Sequence, residues 1–160
     1  MQKSETPMLK IGGKVPNLSG ATNGGKTVSL AGLKGKFVVV YFYPKDNTTG
    51  CTREAQDFRD QQRAFTKLGA VVIGVSRDSV KSHDGFIAKH ELPFDLVADT
   101  DESWCKAFDV IHEKVLYGRR YLGVVRSTFL IGPDGCLRRE WRNVKVPGHV
   151  AEVLEAIKAE

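Results

Sequence analysis

Phe37 to Tyr43 reads FVVVYFY, seven consecutive apolar residues that are all β-branched or aromatic. A run with no polar alternation fits a strand covered on both faces, in the middle of a sheet. Such a strand needs helices above and below it, which excludes a one-layer or purely helical chain. The next segment is PKDNTTGCTREAQDF, Pro44 to Phe58, where a proline, a polar turn and a glycine lead into helical spacing. Cys51 stands at that junction.

The rest of the chain fits the same plan. The first nine or so residues read as a loose lead-in. VPNLSGATNGGKTVSL then reads as two short strands around an Asn-Gly-Gly turn. The spacing predicts a helix from Cys51 to about Leu68, with Cys51, Ala55, Phe58, Gln62 and Phe65 on one stripe and Gly69 closing it. AVVIGVS (Ala70 to Ser76) is a second buried strand, and Ser79 caps a polar helix reaching His90. Phe94 to Asp99 is a short strand and Glu102 to Phe108 a short helix. STFLIGPDGCLRREW reads as strand, Pro-Asp-Gly turn, strand, and Pro147 to Lys158 as a terminal amphipathic helix. A hairpin, three βα units and an antiparallel ββα ending make a single α/β domain over residues 1–160. Its central sheet is mixed, with helices on both faces and an N-terminal hairpin.

At 160 residues, 41% hydrophobic and 27% charged, the chain is long enough for one layered core. No apolar stretch approaches the ~20 residues that span a bilayer. MQKSETPMLKIGGK has no apolar signal region, and three cysteines are too few for a stapled secreted scaffold. These features point to the cytoplasm. The net charge of +5 concentrates late, with nine Lys/Arg against four Asp/Glu between Lys106 and Lys145. These cations are interleaved with strand residues in runs of two at most, so the reading is a solvated face and no nucleic-acid site. Gly20 to Thr27, GATNGGKT, matches a phosphate-binding loop by letter only. No buried strand delivers it, and Gly32 and Gly35 interrupt any helix after it. His83, His90, His112 and His149 lack ligand spacing and read as surface or structural residues, with no metal expected.

Cysteine reacts as the thiolate, which the unpaired N–H groups and partial positive charge of a helix N-terminus stabilise. Gly50 permits close backbone approach, and Thr48 offers a hydroxyl three residues earlier. The end of a central strand is also where α/β sheets place their sites. By position alone, Cys51 reads equally as a reactive thiol or as a buried structural one.

Pro44-x-x-x-Thr48-x-x-Cys51 resembles the peroxidatic motif P-x-x-x-T-x-x-C of the peroxiredoxins. YFYPKDNTTGCTREAQDFRD, GVVRSTFLIGPDG (Gly123 to Gly135) and WRNVKVPGHVAEVLEAI are similar to the bacterioferritin comigratory protein subfamily, also called PrxQ. The likeness covers nearly the whole chain from about Lys10. It implies a thioredoxin-like fold and a thiol-dependent peroxidase that reduces hydrogen peroxide and organic hydroperoxides, in antioxidant defence and redox homeostasis. Cys51 would be the nucleophile and become a sulfenic acid. Arg126 would stabilise the thiolate and hold the peroxide oxygens. Thr48 would hydrogen-bond the peroxide, and Pro44 would shield the sulfur from water. No cofactor is expected, and a monomer or weak homodimer is.

Many members of that subfamily read C-T-x-E-A-C, with a resolving cysteine five residues on. This chain reads CTREAQ, so Gln56 closes that route. A second family location falls in Ser79 to His90, which holds no cysteine. Thr49 stands where the subfamily usually has proline, a departure expected to loosen the turn. Cys105 and Cys136 remain as possible resolvers, although each also reads as a packed thiol. The expectation is a one-cysteine mechanism, with glutathione and glutaredoxin or a thioredoxin as reductant. A redox sensor or holdase using the same cysteine is the alternative. A thioredoxin-type reductase is excluded because Glu54 occupies the fourth position of a would-be C-x-x-C.

Overall fold

The computed structural model describes residues 9–160. The expected loose lead-in lies almost wholly outside them. In chain order the elements are β1 (Ser19–Ala21), β2 (Thr27–Ser29), β3 (Phe37–Phe42), α1 (Thr49–Asp60) and α2 (Gln62–Lys67). Next come β4 (Ala70–Ser76), α3 (Val80–His90), β5 (Asp95–Ala98) and α4 (Ser103–Ala107). The chain ends with β6 (Ile111–Leu116), β7 (Arg119–Val124), β8 (Ser127–Ile131), β9 (Leu137–Arg142) and α5 (His149–Lys158).

The apolar run is the middle strand of a five-stranded sheet ordered β5-β4-β3-β8-β9. β3–β4 and β4–β5 pair in parallel, whereas β3–β8 and β8–β9 are antiparallel. The sheet is mixed, as the sequence implies. Successive residues of β3 feed opposite cores. Val39, Tyr41 and the adjoining Tyr43 pack with Phe58 of α1, Phe65 of α2, Phe86 of α3 and Val153 of α5. Val38, Val40 and Phe42 pack with Trp104 and Cys105 of α4, and with Phe108 and Phe129. Covering both faces removes the need for polar alternation, which explains the run's composition. The β1–β2 hairpin docks at the sheet's edge through a Thr22–Val97 bridge, and Trp104 Nε1 donates to the Ser19 carbonyl at 3.1 Å.

Two features depart from expectation. The long helix breaks at Gln61 into α1 and α2, and Gln62 is only half-buried. The segment between α4 and β8, for which the sequence suggests no element, forms a two-stranded hairpin, β6–β7. Its turn, Tyr117–Gly118, has φ of 52° and 76°. Two left-handed residues match the twist of a two-residue hairpin, a place that usually takes Asn-Gly. Tyrosine in the first position hides the signal.

Candidate active site

β3 runs into the loop 43–48, which is fastened from below before α1 begins. The Tyr43 hydroxyl donates to Asp46 Oδ1 at 2.6 Å, and the Ser82 hydroxyl donates to Asp46 Oδ2 at 2.8 Å. His83 Nδ1 lies 2.7 Å from that same oxygen, and His83 Nε2 lies 3.0 Å from the Val97 carbonyl. The Asp46 N–H and the Ser76 hydroxyl both donate to Asp78 Oδ2, at 2.9 and 2.7 Å. Asp46 and His83 are buried. Burial works against Asp46's charge, but hydrogen bonds from His83 and Tyr43 outweigh it and hold the carboxyl below its usual range. Asp46 at one ring nitrogen and the Val97 carbonyl at the other fix the orientation of the His83 ring. Ligand atoms of Asp46, Asp78 and His83 lie within 4.8 Å of one another. Hydrogen bonds already occupy them, so the cluster is a loop anchor and not a metal cage.

Cys51 sits in the first turn of α1, with Thr48 as the N-cap residue in extended conformation (φ −89°, ψ 157°). The cysteine is 1% exposed. Arg126, between β7 and β8, places Nη2 3.4 Å from Cys51 Sγ and donates through Nη1 to Glu54 Oε1 at 2.7 Å. Gly50 leaves room for the approach, since a Cβ there would lie 3.1 Å from Nη2 and press on the guanidinium. Glu54 is three residues beyond Cys51 and therefore on the same helix face. Burial raises its carboxyl pKa to about 7, and Arg126 only partly offsets this. Its Oε2 and the Tyr41 hydroxyl are buried without hydrogen-bond partners. Burial opposes the charge of Arg126 as well, but Glu54 and the sulfur outweigh it.

Of the residues singled out from sequence, Arg126 is thus brought onto the sulfur. Thr48 is exposed at the helix cap, and its hydroxyl donates to the Lys45 carbonyl at 2.8 Å, which leaves its lone pairs as acceptors. Pro44 is half-buried at the start of the loop. Two further residues at the site escape a reading of the sequence. Glu54 stands out there only as a non-cysteine, although an acid on an apolar helix face signals a buried partner. Lys114 on β6 lines the cleft that Arg126 also lines, about 550 Å³ in volume. Burial, then Arg126, pushes its ammonium below its usual range, and it donates to the Val124 carbonyl at 2.6 Å.

The other cysteines lie elsewhere. Cys51 belongs to the core on one side of the sheet and Cys105 to the core on the other. Burial, then Asp99, raises the Cys105 thiol well above its usual range. Cys136 precedes β9 at the end of the sheet where Val38 pairs with Ile131, whereas Cys51 lies beyond the Phe42 end. Six residues of β3 separate those ends, roughly 20 Å. His149 is buried against Phe58 and Trp141, and burial, then Arg126, lowers its pKa to about 4.

The AhpC/TSA family model matches residues 11–140. Peroxiredoxin Bcp of Bacillus subtilis is 51% identical over 94% of this chain and 96% of its own. The bacterioferritin comigratory protein of Xanthomonas campestris, solved in a study of its alkyl peroxide reduction activity, superposes with a TM-score of 0.85 at 51% identity. That match covers 89% of this chain and 90% of the other. PrxQ of Xylella fastidiosa superposes at 0.91 with 45% identity, over 96% and 98% of the two chains. These likenesses span the elements that carry Cys51, Glu54 and Arg126, and they establish the thioredoxin-like fold. The chain belongs to the AhpC/TSA family, as a peroxiredoxin of the bacterioferritin comigratory protein group.

Proposed function

We propose that this chain, acting as a single catalytic domain, reduces hydroperoxides with Cys51 as nucleophile and no second cysteine of its own. The observation that carries the reading is the Arg126 guanidinium, 3.4 Å from a sulfur in the first turn of a helix. The thiolate attacks the nearer oxygen of ROOH. An S–O bond forms, the O–O bond breaks, and RO⁻ leaves and takes a proton as ROH. The fixed fork of Arg126 spans the sulfur and the developing oxyanion, where its charge stabilises the transition state. The lone pairs of Thr48 accept from the peroxide O–H, and Pro44 keeps water from the loop side. Glu54 holds the guanidinium in place. Alkyl peroxide reduction by the Xanthomonas relative supports organic hydroperoxides as substrates.

An external thiol then resolves the sulfenic acid. Gln56 occupies the usual partner's position, Cys105 is across the sheet, and Cys136 is at its far end. A thioredoxin, or glutathione with glutaredoxin, in the cytoplasm fits this need, and the enzyme works as a monomer or weak homodimer. Peroxide turnover with a supplied thiol tests the reading. Many equivalents consumed per chain support a peroxidase, whereas arrest after one equivalent would make the protein a sensor.

A further inference from the structure

Among the described residues, six large hydrophobic side chains are exposed, and five of them lie on one hairpin. Tyr117 at the β6–β7 turn is 95% exposed, Leu122 65%, Val115 64%, and Leu116 and Tyr121 are exposed beside them. In the register of the pair, Val115 lies opposite Arg120 and Leu122 opposite Glu113. These share a face with Ile111 and Val124, which pack into or against the core, so this apolar strip continues the core outward. Leu116 and Tyr121, opposite Arg119 and Lys114, occupy the other face. The base of the hairpin is secured. Arg77 donates to the Leu122 carbonyl at 3.4 Å and to Glu102 at 3.1 Å, and the Val125 N–H donates to the Val110 carbonyl at 2.7 Å. A two-stranded ribbon is marginal unless it packs on something. This one keeps its apolar residues where none of the described residues covers them.

The base of the hairpin adjoins Arg126, which reaches the sulfur. Arg126 lies two residues past the end of β7, and Lys114 of β6 lines the cleft shared with Arg126, Arg142 and Lys145. We propose that the β6–β7 hairpin is the landing surface for the thiol protein that reduces Cys51, and that this partner is acidic with an apolar rim around its cysteine. The proposal rests on the one-cysteine reading above. Without a resolving thiol in reach, the partner's sulfur must come to Cys51, so its footprint has to fall on the rim of this site. From that rim, where Lys114 lines the cleft, the hairpin extends its apolar side chains outward, with Arg119 and Arg120 beside the turn roughly 20 Å away. Arg120 meets Glu113 at 3.9 Å with both groups exposed, a contact too weak to neutralise the surface. A second copy would bring the same cations against themselves, in a chain of net charge +5. A small thiol has no use for an apolar platform of this size. In the reaction served, the partner's thiolate attacks the Cys51 sulfur, forming S–S and breaking S–O, and hydroxide leaves as water after taking a proton. The partner's second thiol then displaces Cys51 as thiolate and leaves the partner oxidised to a disulfide.

The test compares Tyr117→Ser/Leu122→Ser and Arg119→Glu/Arg120→Glu with the wild type. Turnover is driven by thioredoxin with its reductase and NADPH, by glutaredoxin with glutathione, or by dithiothreitol. The expected result is a KM for the protein reductant raised at least about tenfold in both variants. Dithiothreitol-supported turnover and the rate of Cys51 oxidation should stay unchanged. An unaltered KM, equal losses with dithiothreitol, or turnover with neither protein reductant would overturn the proposal. So would a hairpin-dependent dimer with no change in KM. Failure of the wild type to turn over even with dithiothreitol would instead strike at the peroxidase reading.

Discussion

At Cys51 two sources of positive potential meet, the N-terminal turn of α1 and the Arg126 guanidinium. Cys51→Ser should abolish peroxide consumption, and Cys105→Ser and Cys136→Ser should keep most of it, as peroxide loss with supplied dithiothreitol will show. Arg126→Ala should fold and cost roughly 2–4 kcal/mol of transition-state stabilisation, read as the second-order rate with peroxide. Glu54 makes a prediction in pH. Its carboxyl, at 4.5 when solvated, is raised to about 7 by burial, so the folded state holds the proton more tightly. Its stabilising contribution is complete below pH 4.5 and is lost as pH rises through 7. Urea denaturation of the wild type and Glu54→Gln across that window should diverge by roughly 3 kcal/mol, the wild type losing stability with rising pH. Parallel profiles would refute the buried titration. The meeting of Cys51 and Arg126 was expected from the family resemblance of the segments that carry them, since position alone left Cys51 open. Glu54 was not, because its meaning depends on an arginine 72 positions away.

The loop 43–48 is an element held by side chains instead of by backbone pairing. Asp46 joins it to α3 through His83 and Ser82, and to the end of β4 through Asp78. Asp46→Ala would leave Tyr43, Ser82 and the buried His83 without their shared partner and should destabilise the fold by roughly 1–3 kcal/mol in a urea titration. A cost near zero would mean that the loop does not depend on this anchor. Thr49, which replaces the subfamily's proline, is the first residue of α1, a position suited to proline because no intrahelical bond is lost there. Thr49→Pro should therefore raise Tm, by an amount equivalent to roughly 0.4–1 kcal/mol, and leave peroxide turnover intact. At this scale the strands and helices with long apolar patterns were readable from sequence. The β6–β7 hairpin was not, because its side chains alternate between apolar and charged on both faces and its turn lacks Asn or Asp.

For the molecule as a whole, the order of elements in the sequence led to the mixed sheet because β3 has one composition compatible with burial on two sides. The location of the remaining cysteines was not readable, since it depends on which face each element covers and which end of the sheet each turn closes. That placement leaves Cys51 with no partner thiol in the same chain. Cys105 lies behind the sheet and Cys136 at its far end, so oxidation should give a Cys51 sulfenic acid and no internal disulfide, open to dimedone and, with excess peroxide, to further oxidation. The direct measurement is intact mass after one equivalent of peroxide, with and without dimedone. The expected product is a chain heavier by one oxygen, converted to a single dimedone adduct on Cys51. A chain lighter by two hydrogens and refractory to dimedone, with Cys51 joined to Cys105 or Cys136, would contradict it.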